Sequence, residues 1–394
     1  MANFICPYCF EKCNTRDICF RCINPNPSDC PLEEDEAFSK YWGFASTRQM
    51  PRIIKPNVPF YKNRLSHAIC PKCKTKTTKM ICPHCHNPLP HTTGLVEEYM
   101  IALVGAKAAG KSHYIAVLIN ALRQDIGQKL NVSLVALNDE TIKRYRDEFY
   151  KPLYEKKETI KGTISATAVL KHPLMYRFSI GRESKFGKQK HTVVTLVFFD
   201  TAGEDFDSLD IMRREIKYIS NSRGIIFILD PLQIPAVRDR LPDDTILPPE
   251  HTQPEEIVTR VINLIREDHQ IPETELINIP VALAFSKIDA LRSLLHPDSM
   301  LNRASPHGAQ FDINDYELLN SEMQAYLQEW TGPELNNIME HNFQHFAYFG
   351  FSALGAPPAS DGRLTEAVSS FRIGDPFLWL LWKNKLIKGR KNKA

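Results

Sequence analysis

Cysteine is absent from most of this chain, because all ten cysteines lie at or before Cys85 of 394 residues. We therefore expect neither a disulfide framework nor a thiolate metal site after that position. The uneven distribution indicates that the cysteine-containing part forms a separate N-terminal unit.

Long apolar runs and a strong net charge are also absent. The longest apolar runs, residues 193–199 and 224–229, are as long as a strand and too short to span a membrane. With 49 Lys and Arg against 46 Asp and Glu, the net charge is only +3, so a basic patch that binds nucleic acid has to be local. A cysteine pair already begins at Cys6, which excludes a secretory leader and predicts a cytoplasmic protein.

The cysteines form four CxxC pairs, whose tight turns aim two thiolates at one ion. Their spacing predicts two structural zinc ribbons, at residues 1–30 and 67–90, separated by a connector at 31–66. The predicted zinc ligands are Cys6, Cys9, Cys19 and Cys22 in the first ribbon and Cys70, Cys73, Cys82 and Cys85 in the second. Cys13 and Cys30 are left as spare thiols. Disulfides are the alternative, which a cytosolic setting disfavours.

Zinc ribbons of this size generally bind a protein or a nucleic acid, and the sequence does not say which. The connector contains "YWGF" and a basic run with several prolines, residues 48–64. We expect an extended linker whose aromatic side chains pack on neighbouring domains. The alternative is an interaction arm that binds a partner.

Residues 97–382 alternate between apolar runs and helical patterns, which predicts an α/β domain with a doubly wound, mostly parallel sheet. The runs predicted to be strands are residues 99–106, 174–181, 192–200, 224–230, 279–287 and 346–352. Near the C-terminus, residues 375–382 predict a last helix packed on the sheet. For residues 383–394 we expect a disordered basic tail. The alternative is that residues 375–394 form a helix that lies on a membrane surface.

The stretch "GAKAAGKS", residues 105–112, fits the G-x-x-x-x-G-K-[ST] phosphate loop between a strand and a helix. Gly105 and Gly110 allow the backbone to curl so that its amides face an anion at the helix N-terminus. We expect Lys111 to contact the β- and γ-phosphates and Ser112 to bind Mg²⁺. The predicted nucleotide contacts are Gly105, Ala106, Lys107, Ala108, Ala109, Gly110, Lys111, Ser112 and His113.

Three further motifs follow later strands. In "VFFDTAGED", residues 197–205, a predicted strand ends at Asp200, which we expect to hold Mg²⁺ through water. The D-x-x-G pattern then continues to Gly203, whose amide would sense a γ-phosphate. "AFSKID" contributes Ser286, Lys287 and Asp289, and "FGFSALG" contributes Ser352, Ala353 and Leu354.

With these four motifs in order, residues 97–382 resemble the Ras-like, translation-factor-related class of P-loop GTPases. The resemblance implies that Asp289 reads the guanine ring, that Lys287 stacks on the base, and that the Ala353 amide meets the guanine O6. Ser286 stands where the class has Asn or Thr. This difference is expected to weaken the contact with the phosphate loop more than the recognition of the guanine base.

Together with the N-terminal ribbons, the chain is similar to the bacterial double-GTPase domain family of conflict and anti-phage systems. That similarity implies a GTP-dependent switch or assembly factor that acts beside other proteins, among them another GTPase.

Hydrolysis is expected to be slow, because Glu204 stands where many Ras-like enzymes place a Gln that orients water. A carboxylate accepts from water but cannot donate to a phosphate oxygen. The alternative is that Glu204 only begins a solvated helix. The resembled class also has a switch threonine that completes the coordination of Mg²⁺, and here Thr167 is preferred to Thr163 for that position. Lys107, within the phosphate loop, is expected to face solvent.

The sequence therefore predicts a GTP- and Mg²⁺-binding switch that hydrolyses GTP slowly, with two Zn²⁺ in ribbons that recruit a protein partner. One alternative is a nucleotide-locked scaffold with little hydrolysis. The other is a zinc-ribbon factor that binds nucleic acid, against which the small net charge counts.

Overall fold

A computed structural model describes residues 3–161, 172–183, 189–199, 216–243, 245–248 and 253–391. The larger part is an α/β domain built on a seven-stranded mixed sheet. Its strands in chain order are β10 (Glu97–Val104), β11 (Val132–Ala136), β12 (Leu174–Glu183), β13 (Gln189–Phe198), β14 (Gly224–Leu229), β15 (Val281–Phe285) and β17 (Phe346–Gly350). This confirms the predicted α/β class with a mostly parallel sheet.

The sheet order is β11-β12-β13-β10-β14-β15-β17. Strands β13, β10, β14, β15 and β17 are parallel, while β12 is antiparallel to both of its neighbours. The chain first extends the sheet on one side of β10 and then on the other. In α/β sheets of this kind, ligands bind where the order reverses, at the carboxyl ends of the strands. Here that position lies next to the end of β10.

Helices cover both faces of the sheet because strands such as β14 and β15 are apolar and buried along their whole length. The helices of this domain are α2 (Lys111–Arg123), α3 (Asp125–Leu130), α4 (Asp139–Arg144), α5 (Pro235–Arg238), α6 (Pro254–His269), α7 (Ile313–Thr331), α8 (Glu334–Asn342) and α9 (Asp375–Lys383). A π-helical segment, Tyr145–Lys156, continues α4.

Helix α9 is packed on the sheet as predicted, with Phe377 and Trp379 fully buried. The expectation of a disordered basic end is wrong for the residues up to 391. Strand β18 (Gly389–Arg390) pairs in parallel with β16 (Phe311–Asp312), and the Arg390 guanidinium lies 2.9 Å from the Asp312 carboxylate. Among the helices of the described ranges, none is both long and apolar enough to cross a bilayer.

The N-terminal part is one interleaved module, and not two ribbons joined by a linker. Its strands are β1 (Asn3–Ile5), β2 (Lys12–Asn14), β3 (Cys19–Arg21), β4 (Glu33–Asp35), β5 (Arg48–Met50), β6 (Ile53–Ile54), β7 (Ala68–Ile69), β8 (Lys76–Thr77) and β9 (Met80–Ile81). Strand β3 pairs with β6, from the predicted connector, and with β9, from the predicted second ribbon. The connector also forms helix α1 (Glu36–Trp42), so the predicted boundaries at residues 30 and 67 cut through a single folded unit.

Candidate functional site

The phosphate loop connects β10 to α2, as predicted. Its backbone has positive φ angles at Ala108 (61°) and Gly110 (96°), which turn the chain sharply before the helix begins at Lys111. Gly105 is required by packing, because a Cβ atom there would lie 2.2 Å from the backbone oxygen of Ile228 on β14. The loop therefore lies against the neighbouring strand, with its amides at the helix N-terminus.

The Lys111 side chain is buried against the loop itself. Its Nζ donates to the backbone oxygens of Gly105, at 2.6 Å, and Ala106, at 2.9 Å. These bonds hold the ammonium group inside the curl where a phosphate would be bound. Lys107 is exposed, as expected from the sequence.

His113, the last of the predicted nucleotide contacts in this loop, lies on α2 and contacts the segment of residues 157–161. Its Nε2 accepts a hydrogen bond from the Ile160 amide at 3.1 Å. Burial, and less strongly the nearby Lys287 ammonium, lower the pKa of His113 to about 4. The imidazole is therefore neutral at pH 7, which its role as acceptor requires.

The motif after β15 lies at the same edge of the sheet as the phosphate loop. Ser286 is buried, and its Oγ donates to the Leu229 backbone oxygen at 3.1 Å, joining β15 to β14. The same Oγ is 4.0 Å from the position a Cβ would take on Gly110. Ser286 thus tethers the two strand ends and only packs beside the loop.

Lys287 makes an ion pair that the sequence analysis did not predict. Its backbone is left-handed, with φ 54°, and its Nζ lies 2.5 Å from Oδ2 of Asp230, which follows β14. The Asp230 side chain is fully buried and also accepts from the Leu232 amide, whereas the side chain of Lys287 is 32% exposed. The aspartate therefore fixes the lysine stem at the rim of the site.

Asp289 is only partly buried, and within the described ranges its carboxylate makes no hydrogen bond or ion pair. The loop after β17 lies beside it, because the Ile288 amide donates to the Phe351 oxygen at 3.3 Å. In that loop, Ser352 is buried and its Oγ accepts from the Gly355 amide at 2.8 Å. Ala353 and Leu354 follow and are partly exposed.

The structure thus brings residues 105–113, 286–289 and 352–354 to one edge of the sheet. The remaining predicted residues, Thr163, Thr167, Asp200, Gly203 and Glu204, lie outside the described residues. Their roles stay predictions.

The cysteines form two clusters, in each of which the four Sγ atoms lie within 4.8 Å of one another. The first contains Cys6, Cys9, Cys82 and Cys85, and the second contains Cys22, Cys30, Cys70 and Cys73. The Sγ–Sγ distances are 3.8 Å for Cys6–Cys85, Cys9–Cys82 and Cys30–Cys70, and 3.4 Å for Cys22–Cys73. Four sulfurs placed about 2.3 Å from a central ion have edges of about 3.8 Å, so both clusters fit tetrahedral Zn²⁺ and neither is a disulfide.

The predicted grouping of the cysteines is wrong. Each cluster draws ligands from both predicted ribbons, Cys30 is a member of the second cluster and not a spare thiol, and Cys19 lies outside both. The reason is local: "CFRC" begins as strand β3, and an extended strand separates its two cysteines instead of aiming both at one point. Cys19 accordingly points its thiol at the Asp17 oxygen, 3.4 Å away.

A signal for this exception was present in the sequence. The three pairs that form knuckles read "CPYC", "CPKC" and "CPHC", with proline after the first cysteine, whereas the strand pair reads "CFRC". In each knuckle the residue after the second cysteine has a positive φ: Phe10 58°, Lys74 59° and His86 53°. Each of these residues donates its amide to the oxygen of the first cysteine, which closes the turn.

Comparisons with known proteins find a bacterial relative that is similar over most of this chain. No family model matches the chain. The chain is 26% identical to the "Putative ESX-1 scaffolding and assembly protein SaeC" of Mycolicibacterium smegmatis, over 92% of this chain and 97% of that protein. A solved structure of sup35 complexed with GDP is 10% identical, with a TM-score of 0.23, over 66% of this chain and 38% of that one. These comparisons give no support for a role in anti-phage defence.

Proposed function

We propose that this protein binds a guanine nucleotide with Mg²⁺ and works as a scaffolding or assembly protein, with slow hydrolysis of GTP. The observation that carries the nucleotide assignment is the placement of Asp289 at the sheet edge that also holds the phosphate loop. Its carboxylate has no competing partner among the described residues. A carboxylate in this position accepts two hydrogen bonds from the N1–H and amino groups of guanine, and adenine offers no such pair of donors.

The rest of the proposed site binds the phosphates. Nucleotide binding replaces the bonds from Lys111 to Gly105 and Ala106 with bonds to the β- and γ-phosphates. The loop amides bind the phosphates at the start of α2, and Ser112 and Asp200 are proposed to hold Mg²⁺, which neutralises charge on the phosphates. Thr167 is proposed as the switch threonine that binds Mg²⁺, and Glu204 as the residue beside the attacking water.

The assembly role rests on the relative that is named a scaffolding and assembly protein, since the two chains match over nearly their whole lengths. We propose protein partners for the module of residues 3–96, with zinc in both clusters, and a second GTPase as one candidate. Whether the nucleotide is turned over or only held distinguishes a switch from a locked scaffold.

The test is calorimetric titration of the zinc-loaded protein with GDP, a non-hydrolysable GTP analogue and ATP, with and without Mg²⁺. We expect guanine-selective binding, weakened at least tenfold in Asp289→Asn because the amide presents a donor to the guanine amino group. Asp298→Asn is the matched control, since Asp298 is an exposed carboxylate nine residues further along the chain. Equal binding of ATP and GTP, or an Asp289→Asn protein that binds normally, would overturn the guanine assignment.

Phosphate release over hours then separates the two modes of action. Slow release that Lys111→Ala abolishes supports a GTPase switch. Nucleotide binding without release supports the locked scaffold.

A further inference from the structure

The chain as a whole is nearly neutral, but one part of it is strongly basic. Residues 37–96 contain no Asp or Glu. The basic residues in this range are Lys40, Arg48, Arg52, Lys55, Lys62, Arg64, Lys72, Lys74, Lys76 and Lys79. The module of residues 3–96 as a whole contains 13 Lys and Arg against 7 Asp and Glu, the acids all lying at or before Glu36, so the chain's net charge of +3 hides a local basic excess that attracts anions.

Most of these lysines are available to a ligand. Lys55, Lys62, Lys72, Lys76 and Lys79 are exposed, and none forms an ion pair with a described residue. Arg21 and Arg52, by contrast, are neutralised by Asp35 and Glu33.

Two large aromatic side chains lie between Lys55 and Lys62 in the loop of residues 55–64, which we name the basic-aromatic loop. Phe60 is 89% exposed and Tyr61 is 71% exposed. Their rings are 5.5 Å apart and nearly perpendicular, and the Lys62 ammonium is 5.8 Å from the Tyr61 ring. The expectation that the connector's aromatics pack on neighbouring domains therefore fails at this pair, although Trp42 does contact His172 at 4.4 Å.

The loop is held in place by the rest of the module. The Arg16 guanidinium donates to the Val58 oxygen at 2.8 Å and to the Phe60 oxygen at 3.3 Å. Thr15 Oγ1 donates to the Asn63 oxygen at 2.8 Å. The two exposed rings are thus presented on a braced backbone, which lowers the entropy cost of binding.

We propose that the basic-aromatic loop, assisted by the exposed lysines of the same module, binds single-stranded nucleic acid. Aromatic rings that stack on bases, next to cations that follow a phosphate backbone, are the two components of such sites. Protein–protein interfaces are poor in lysine, whereas nucleic-acid interfaces are strongly positive, so the composition favours nucleic acid over an acidic protein. A duplex is disfavoured because α1, which would have to enter a major groove, has Asp35 as its N-cap and Glu36 as its first residue, and both repel phosphates.

The experiment is a fluorescence-anisotropy titration of a labelled oligothymidylate with the full-length, zinc-loaded protein at several salt concentrations. We expect the logarithm of the association constant to fall linearly with the logarithm of the salt concentration. The double variant Phe60→Ser/Tyr61→Ser is expected to bind about tenfold weaker or worse through lost stacking. The variant Lys55→Gln/Lys62→Gln is expected to lower the salt slope by about 1.4.

Matched controls are Leu318→Ser, an exposed apolar side chain on α7, and Lys143→Gln, an exposed lysine on α4. Zinc content and guanine-nucleotide binding of each variant confirm that the substituted surface, and not folding, is responsible. This proposal is independent of the nucleotide site, so either can fail alone.

Three results would overturn the proposal. The first is no binding of the oligonucleotide at low salt. The second is binding that polyglutamate displaces equally well and that the aromatic variant leaves unchanged, which shows only attraction to any polyanion. The third is loop-dependent binding to phosphatidylserine vesicles in a protein that does not bind the oligonucleotide, which identifies a membrane surface.

Discussion

At the scale of single residues, Gly105 is the position in the phosphate loop where no side chain fits. A Cβ atom would meet the Ile228 oxygen at 2.2 Å, and backbone cannot move as a flexible side chain can. We expect Gly105→Ala to cost about 1–3 kcal/mol of the free energy of unfolding and to weaken nucleotide binding. Urea denaturation and calorimetry measure the two effects. Gly308→Ala, where a Cβ would have open space, should leave both unchanged.

The regrouped cysteines give a second prediction at this scale. Cys30→Ser is expected to lower the zinc content from two ions to one per chain, because Cys30 lies 3.8 Å from Cys70 in the second cluster. Cys19→Ser should keep both ions, because its thiol belongs to neither cluster. Elemental analysis of the purified proteins measures the metal. A loss of zinc in Cys19→Ser with full zinc in Cys30→Ser would restore the grouping expected from the spacing.

At the scale of elements, β10 carries an acid at the junction between the module and the sheet. Glu98 is buried, and its Oε1 has no hydrogen-bond partner among the described residues. Burial raises the pKa of Glu98 to about 7, while backbone amides, including those of Ile5 and Gly94, oppose this more weakly. The folded protein therefore binds this proton more tightly than the unfolded chain does.

The sign of the resulting pH dependence follows from linkage. Between the unfolded and folded pKa values the unfolded state holds fewer protons, so stability falls as pH rises. We expect wild type to lose about 1 kcal/mol relative to Glu98→Gln between pH 6 and pH 8.5. Urea unfolding at the two pH values, at full zinc occupancy, measures the difference. Parallel curves for the two proteins would show that Glu98 is ionised in the folded state.

The elements were predictable where one local pattern determines them. Residues 99–104 of β10 and all of β14 and β15 form unbroken apolar runs of strand length, which is typical of strands buried on both faces. The phosphate loop was predictable because its glycines and its lysine act within eight residues. Which cysteines share a cluster could not be predicted from the spacing, because the pairing of β3 with β9, a tertiary contact, brings Cys6 and Cys85 together. The pair Lys287–Asp230 was missed for the same reason.

At the scale of the whole molecule, the first zinc knuckle lies directly on the α/β domain. Phe10, which closes that knuckle, is fully buried, with its ring 5.4 Å from Phe199 and 4.9 Å from Tyr218. The Tyr218 hydroxyl in turn donates to the Ile101 oxygen of β10, at 2.5 Å. The side-chain amide of Asn221 donates through Nδ2 to the Phe10 backbone oxygen at 3.2 Å.

A second contact comes from the middle of the same knuckle. The Tyr8 ring meets His172 edge-on at 6.1 Å. The knuckle therefore packs against the residues that flank both segments carrying the proposed switch residues, since Phe199 precedes Asp200 and His172 follows Thr167 in the chain. The knuckle that the cysteine cluster holds together is thereby in contact with both flanks of the proposed nucleotide site.

This arrangement predicts that the zinc module and the nucleotide site are energetically coupled. Phe10→Leu keeps an apolar side chain of similar size but removes the ring contacts, so we expect full zinc content and a several-fold loss of nucleotide affinity. Phe44→Leu is the control, because Phe44 is exposed in the same module and its ring contacts are with Phe38 and Arg48. Zinc analysis and calorimetry with GDP measure both quantities in each variant. Unchanged GDP affinity in Phe10→Leu would mean that the module is attached to the domain without influencing the site, whereas a reciprocal gain in zinc retention on GDP binding would establish the coupling from the other side.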